Sequence, residues 1–164
     1  MKKKLIMIVC VLLMAVMATG CTTFNNFKNA FFSDSSTETV AADGTIRIGV
    51  YEPLSGEYRQ QGNEERIGIE LAHELYPEVA GKKVELIYAD NQSDMYAAET
   101  AIEELMAQNP SVILGSYGDT VTLVAGDAVK ANNVPAISIS STNPLITVNN
   151  PYYFCATFAD TKQG

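Results

Sequence analysis

Histidine occurs once in these 164 residues, at His73, and cysteine three times. His73 falls mid-helix beside Glu70 and Glu74. It is read as a solvated helix-face residue, so no serine or cysteine nucleophile has a base. The carboxylates are scattered, no metal-ligand cluster stands out, and no metal site is expected. The phosphate-cradling loops GxxxxGK[ST] and GxGxxG are both missing, so no nucleotide cofactor is expected. Gly115-Ser116-Tyr117-Gly118 comes near a GxSxG elbow at the wrong spacing, and a hydrolase using Ser116 lacks a base. No catalytic residue is assigned, and the chain is expected not to be an enzyme.

Basic residues are scarce too, eleven against nineteen acidic. Three of them, Lys2, Lys3 and Lys4, head an apolar run from Leu5 to Met17 that is short for a membrane span. Ala18, Thr19 and Gly20 then lead to Cys21, which resembles the bacterial lipobox, with Ala18 where leucine is preferred. The resemblance implies a signal peptide over 1–20 and lipidation of Cys21. Without the three lysines eight basic residues face nineteen acidic ones, a net of −11, which disfavours nucleic acid and anionic membranes. Cys10 leaves with the signal, so Cys155 is alone, no disulfide framework exists, and Cys155 is read as a buried small hydrophobe.

Residues 22 to 44, rich in Ser, Thr and Asn, read as a flexible tether, and Thr45 to Gly164 remain for one domain. From 45 on, strand and helix alternate. TIRIGVY (45–51), KVELIYAD (83–90), SVILG (111–115), PAISIS (135–140) and PYYFCAT (151–157) read as strands. The first helix, 63–78, places Ile67, Leu71 and Leu75 on one face and stops at Pro77; the second, 93–109, opens with Ser93 as its cap; the third spans 119–133. Short strand–helix connections predict right-handed parallel crossovers and an α/β fold, a doubly wound, mostly parallel sheet with helices on both faces.

Ligands of such sheets sit beyond the carboxyl ends of the strands, where strand order reverses. The loops 52–62, 116–119 and 140–144 share that rim. There, the first amides of the third helix would favour a carboxylate, and Ser140, Ser141 and Thr142 offer hydroxyls. A plain turn before Pro144 is the competing reading of those hydroxyls. Asn91-Gln92-Ser93 matches a short glycosylation pattern of little specificity.

The segments IRIGVYEPLSGEYRQQG, GKKVELIYADNQSD, GSYGDTVTLVAG, VPAISISSTNPLIT, NPYYF and DTKQG, in order over 46–164, resemble the Leu/Ile/Val-type amino-acid-binding proteins of ABC importers. The resemblance implies the first, flavodoxin-like lobe of a two-lobed type I periplasmic binding protein that closes on its ligand by a hinge. It implies an N-terminal fragment, which would bind weakly without the second lobe. It also implies an extracytoplasmic, lipid-anchored receptor delivering an amino acid, branched-chain or related, to ABC permease subunits. A sensor or partner-binding lipoprotein on the same fold is the alternative.

Residue by residue, Thr142 matches a threonine that binds the α-carboxylate through hydroxyl and amide, and Ser140 a carbonyl accepting from the α-ammonium. Asp119, followed by Thr120, stands where the family usually has a carboxylate-binding serine, and Gln61 where an aromatic often lines the pocket. A ligand carboxylate ~4 Å from Asp119 would cost ~1 kcal/mol in water-like surroundings and ~4 kcal/mol at an effective dielectric of 20. Either Asp119 turns down to cap helix 120–132, the preferred expectation, or the guest carries a cation or amide donor.

Overall fold

A computed structural model of the chain describes residues 44–162. The expected signal peptide, lipidated Cys21 and the tether up to residue 43 lie outside the described residues.

Strands form where apolar and β-branched residues run together. Ile46–Glu52 (β1) carries such a run and lies between two parallel neighbours, Lys82–Asp90 (β3) on one side and Val112–Leu114 (β4) on the other. Ala136–Ser138 (β5) and Tyr153–Cys155 (β6) continue the sheet in parallel beyond β4. A two-residue strand, Glu78–Val79 (β2), folds back antiparallel on β3 through a turn at Ala80 and Gly81 and makes the far edge. The order is β2-β3-β1-β4-β5-β6. Leaving out the short antiparallel edge, this is the flavodoxin-like order, whose switch point lies between β1 and β4. The expected doubly wound parallel sheet is present. The sequence reading missed β2, and the last three strands are shorter than their sequence runs because only the middle of each pairs.

Three helices follow: Arg59–Leu75 (α1), Met95–Met106 (α2) and Asp119–Asn132 (α3). Alternation along β1 sends Gly49 and Tyr51 to one face and Ile48, Val50 and Glu52 to the other. The first face meets α2 and α3: a Cβ on Gly49 would lie 2.9 Å from Leu105 Cδ2, so glycine lets α2 close on the sheet. Tyr51 is fully buried, its hydroxyl 3.1 Å from the Val121 carbonyl and 3.3 Å from that of Ala98, which ties both helices to the central strand. Ala98, Ile102, Leu105, Ile113, Val121, Ala125 and Val129 complete this core. At roughly 25 cal/mol per Å² of buried apolar surface, it is the main stabilising term.

The other face carries α1, which differs from expectation. The helix begins four residues before the expected Asn63 and ends at Leu75, since Pro77 holds Tyr76 out of helical geometry. Ile67, Leu71 and Leu75 do share a side, yet they are 57, 55 and 63 % exposed. The side that meets the sheet holds Gly62 and Ile69. The cause is local: any Cβ at 62 would overlap Pro53, so the chain can approach β1 closely only on the glycine side. His73 is not fully solvated; it is half-buried, with Nε2 3.1 Å from the Val84 carbonyl, away from the rim. Cys155 is half-buried against the core rather than fully buried, and burial together with the nearby Asp119 charge raises its thiol pKa. The second helix is capped by Asp94, whose Oδ1 accepts from Tyr96 N and Ala97 N, each at 2.9 Å, and not by Ser93. Among the described residues no helix is long and apolar enough to cross a membrane.

Candidate functional site

Each parallel strand delivers its following loop to the same edge, and four of these loops meet in a cleft of about 550 Å³. Glu57 and Tyr58 come from beyond β1, Ser93 from beyond β3, Tyr117 to Val121 from beyond β4, and Ser140 to Thr142 from beyond β5. A larger cavity of about 780 Å³ is lined only by α2, α3 and the adjoining Ala107. No rim loop reaches it, so the cleft at the strand ends is the candidate site.

The rim is held by buried and half-buried polar groups. Asp90, at the end of β3, accepts at Oδ1 from Leu54 N (2.9 Å), Ser55 N (3.1 Å) and Gln92 N (2.9 Å), and at Oδ2 from Ser55 Oγ (2.6 Å). Burial alone would raise its pKa, but these hydrogen bonds prevail and hold it below the usual value. Ser93 Oγ accepts from Tyr58 N at 2.9 Å, which attaches the base of the tyrosine loop to the loop after β3. Fully buried Asn91 donates to fully buried Ser116 Oγ at 2.7 Å.

At the end of β1, Glu52 is fully buried and its Oε2 accepts from Tyr117 N at 2.9 Å. Burial first, and then the charge of Glu65 on α1, push its pKa up to about 9, against the lowering influence of the Tyr117 amide. Glu52 Oε1 and Glu65 Oε2 have no hydrogen-bond partner among the described residues, and a proton on Glu52 relieves the repulsion between the two carboxylates. The pair sits beneath the loop that carries Tyr117.

The expected ligand residues have unequal surroundings. Ser141 is 4 % exposed and its hydroxyl is committed within the protein, 3.0 Å from the Ser116 carbonyl and 3.0 Å from Thr122 Oγ1. It shapes the loop and offers no free hydroxyl donor, contrary to the expectation. Ser140 lines the cleft, and its buried Oγ has no partner among the described residues. Thr120 lines the cleft from the first turn of α3. Gln61 lies in the first turn of α1 and is not among the cleft-lining residues.

Asp119 does not cap α3. Gly118 occupies the cap position with no side-chain bond, and Asp119 begins the helix. Its Oδ1 instead accepts from the Thr142 backbone amide at 3.3 Å. The reason is proximity: β4 and β5 are neighbours, so their loops emerge side by side, and the carboxylate reaches across to a strong donor left unpaired by the end of β5. Sequence reasoning missed Glu57, Tyr58, Ser93 and Tyr117. The rings of Tyr58 and Tyr117 stand 5.5 Å apart, tilted by 58°. An aromatic in each of two rim loops was the signal that could have found them. No grouping of three or more His, Cys, Asp or Glu able to hold a metal occurs among the described residues.

Residues 45–164 match the family of periplasmic binding proteins. The Leu/Ile/Val-binding protein homolog 3 of Brucella melitensis is 26% identical over 110 residues, covering 65% of this chain and 30% of that protein. Among solved structures, a leucine-binding protein LivK from Thermotoga maritima superimposes with a TM-score of 0.70 at 29% identity, over 72% of this chain and 34% of its own. LivJ from Streptococcus pneumoniae, in complex with isoleucine, gives 0.67 at 30%, over 71% and 35%. A solute-binding protein of an ABC transporter from Rhodopseudomonas palustris, in complex with 3,4-dihydroxybenzoic acid, gives 0.66 at 26%, over 71% and 32%. The chain spans about a third of the length of these relatives. With the family matched over the whole α/β unit, the parallel sheet in its flavodoxin-like order and the cleft at the switch point, the chain belongs to the periplasmic binding protein family.

Proposed function

We propose that this chain is the first ligand-binding lobe of an extracytoplasmic solute receptor serving an ABC importer. The solute is an amino acid or a related small molecule, held between this lobe and a second one and passed to permease subunits. Cys21 is the lipidation site that anchors the receptor to the membrane, residues 1–20 are the signal that directs it there, and 21–44 tether the lobe. The observation that carries the reading is the convergence of the loops after β1, β4 and β5 on one polar cleft at the switch point. Ligand recognition in this architecture needs such a crevice, and a single lobe supplies half of it. The mechanism is a population shift: a solute touching both lobes favours the closed form, which the permease recognises. The receptors for leucine and isoleucine among the solved relatives support an amino-acid ligand, and the benzoate-type ligand of another keeps the solute class wider.

Titration calorimetry on the intact protein, with a panel of amino acids, amines and small acids, tests this. Saturable binding of a panel member, weakened by mutation at the cleft, is expected. A folded protein that binds none of them would overturn it. Labelled palmitate incorporation, lost in Cys21→Ser, checks the anchor separately.

A further inference from the structure

The cleft holds a carboxylate of its own at the place where a ligand carboxylate would be received. Two features would favour an anion there: the Thr142 amide and the first turn of α3. Asp119 meets both, since its Oδ1 accepts from Thr142 N at 3.3 Å and the residue begins α3. A second carboxylate, Glu57, lies on the same lining, and no Lys, Arg or His stands among the lining residues. An anion entering this half of the site would meet like charge and no counter-ion.

For a cation the same groups are complementary. Asp119 has acceptor capacity left after its single bond to Thr142, because a carboxylate offers about four lone-pair sites. Tyr58 and Tyr117 stand in the lining with centroids 5.5 Å apart, and tyrosine faces attract ammonium and guanidinium groups. A chain of net charge −8 also draws cations toward its surface.

The geometry points to a specificity: this lobe takes the cationic end of its solute, an ammonium or guanidinium group seated against Asp119 and the Tyr58–Tyr117 pair, and rejects solutes whose only charge is a carboxylate. The inference rests on the receptor reading and narrows its solute class to amines, guanidines and amino acids presented by their cationic group.

Matched ligands decide it. The intact protein is titrated calorimetrically with isopentylamine and agmatine, which carry cations and no carboxylate, with 4-methylpentanoate and benzoate, which carry only a carboxylate, and with arginine and leucine. The amines are expected to bind at least about tenfold more tightly than the acids, one charge-assisted contact being sufficient for that ratio. Asp119→Asn keeps an acceptor for the Thr142 amide and removes the charge, and should erase the preference for the amines. Asp119→Ser should shift it toward the acids. Thermal melts by circular dichroism establish that each variant is folded; if one is not, the wild-type ratio of amines to acids still decides. Acids binding as tightly as amines, or a preference unchanged in Asp119→Asn, would overturn the specificity while leaving the receptor intact. Binding of no panel member by folded protein would overturn the receptor reading and the specificity with it.

Discussion

Replacing Glu52 by glutamine should make the protein more stable at alkaline pH and flatten the dependence of its stability on pH. Glu52 closes β1 fully buried, with Oε2 on the Tyr117 amide and the Glu65 carboxyl beside it. Burial first and Glu65 second raise its pKa in the folded protein from 4.5 to about 9. Below 4.5 the group is protonated in both folded and unfolded chains, and its full contribution is present. Between those two values the unfolded chain has released the proton and the folded one retains it. Stability therefore falls as pH rises, by up to about 1.4 kcal/mol per pH unit, until the folded pKa is passed. From pH 6 to pH 8 that is a loss of at most about 3 kcal/mol, a large part of a typical stability of 5–15 kcal/mol. Glutamine reproduces the protonated acid: its oxygen accepts from Tyr117 N, and its uncharged amide meets no repulsion from Glu65. Urea unfolding followed by circular dichroism at constant ionic strength, from pH 5 to pH 9, compares the two. The wild type should lose stability across this range more steeply than Glu52→Gln, and the curves should converge at the acid end. Parallel curves, or a variant that is the less stable at every pH, would show that Glu52 is ionised in the folded protein and that the argument fails.

Three further outcomes are expected. Tyr51→Phe removes the hydroxyl shared by the Ala98 and Val121 carbonyls, which keep their partners within the helices, and should cost about 0.5–1.5 kcal/mol in urea unfolding. Leu105→Ala opens a cavity where α2 meets Gly49 and should cost about 2–5 kcal/mol in the same assay. Asp90→Ala releases the amides of Leu54, Ser55 and Gln92, so their hydrogen exchange should accelerate and ligand affinity fall. Because hydrogen bonds hold Asp90 below its usual pKa, its contribution is present above the unfolded pKa and is lost as pH falls through the folded one. Protection of these amides, corrected for the base catalysis of intrinsic exchange, should therefore fall as pH drops through the folded pKa of Asp90 and stay level above it.

The strand and helix runs of the α/β unit were legible because period and composition are local. The bare apolar run SVILG reads as a buried strand, and DTVTLVAGDAVKANN as a helix. Pattern also carried the parallel crossovers and hence the rim on which Ser140, Thr142 and Asp119 meet. What the pattern misjudged was orientation. The stripe Ile67, Leu71 and Leu75 has every mark of a buried face, yet α1 is turned so that Gly62 meets Pro53 across the loop that leads into the helix, a close approach that no helical period encodes. Element ends moved as well, since strand length depends on pairing with a neighbour and not on the run of apolar residues.

The partners of the rim side chains lay further beyond the sequence. Asp119 as a helix cap is the correct local inference for an acid at a helix start. It fails because β5 brings the Thr142 amide, 23 residues later, within 3.3 Å of the carboxylate. Ser141 in the same way looks like a free hydroxyl until the loops place the Ser116 carbonyl and Thr122 against it. Amino-acid order specified which groups arrive at the mouth of the sheet, because alternation of strand and helix delivers alternate loops to one edge. Which of those groups remain open to a guest, and with what charge, was decided only when neighbouring loops met, since a hydrogen bond forms over about 3 Å in space whatever the separation along the chain.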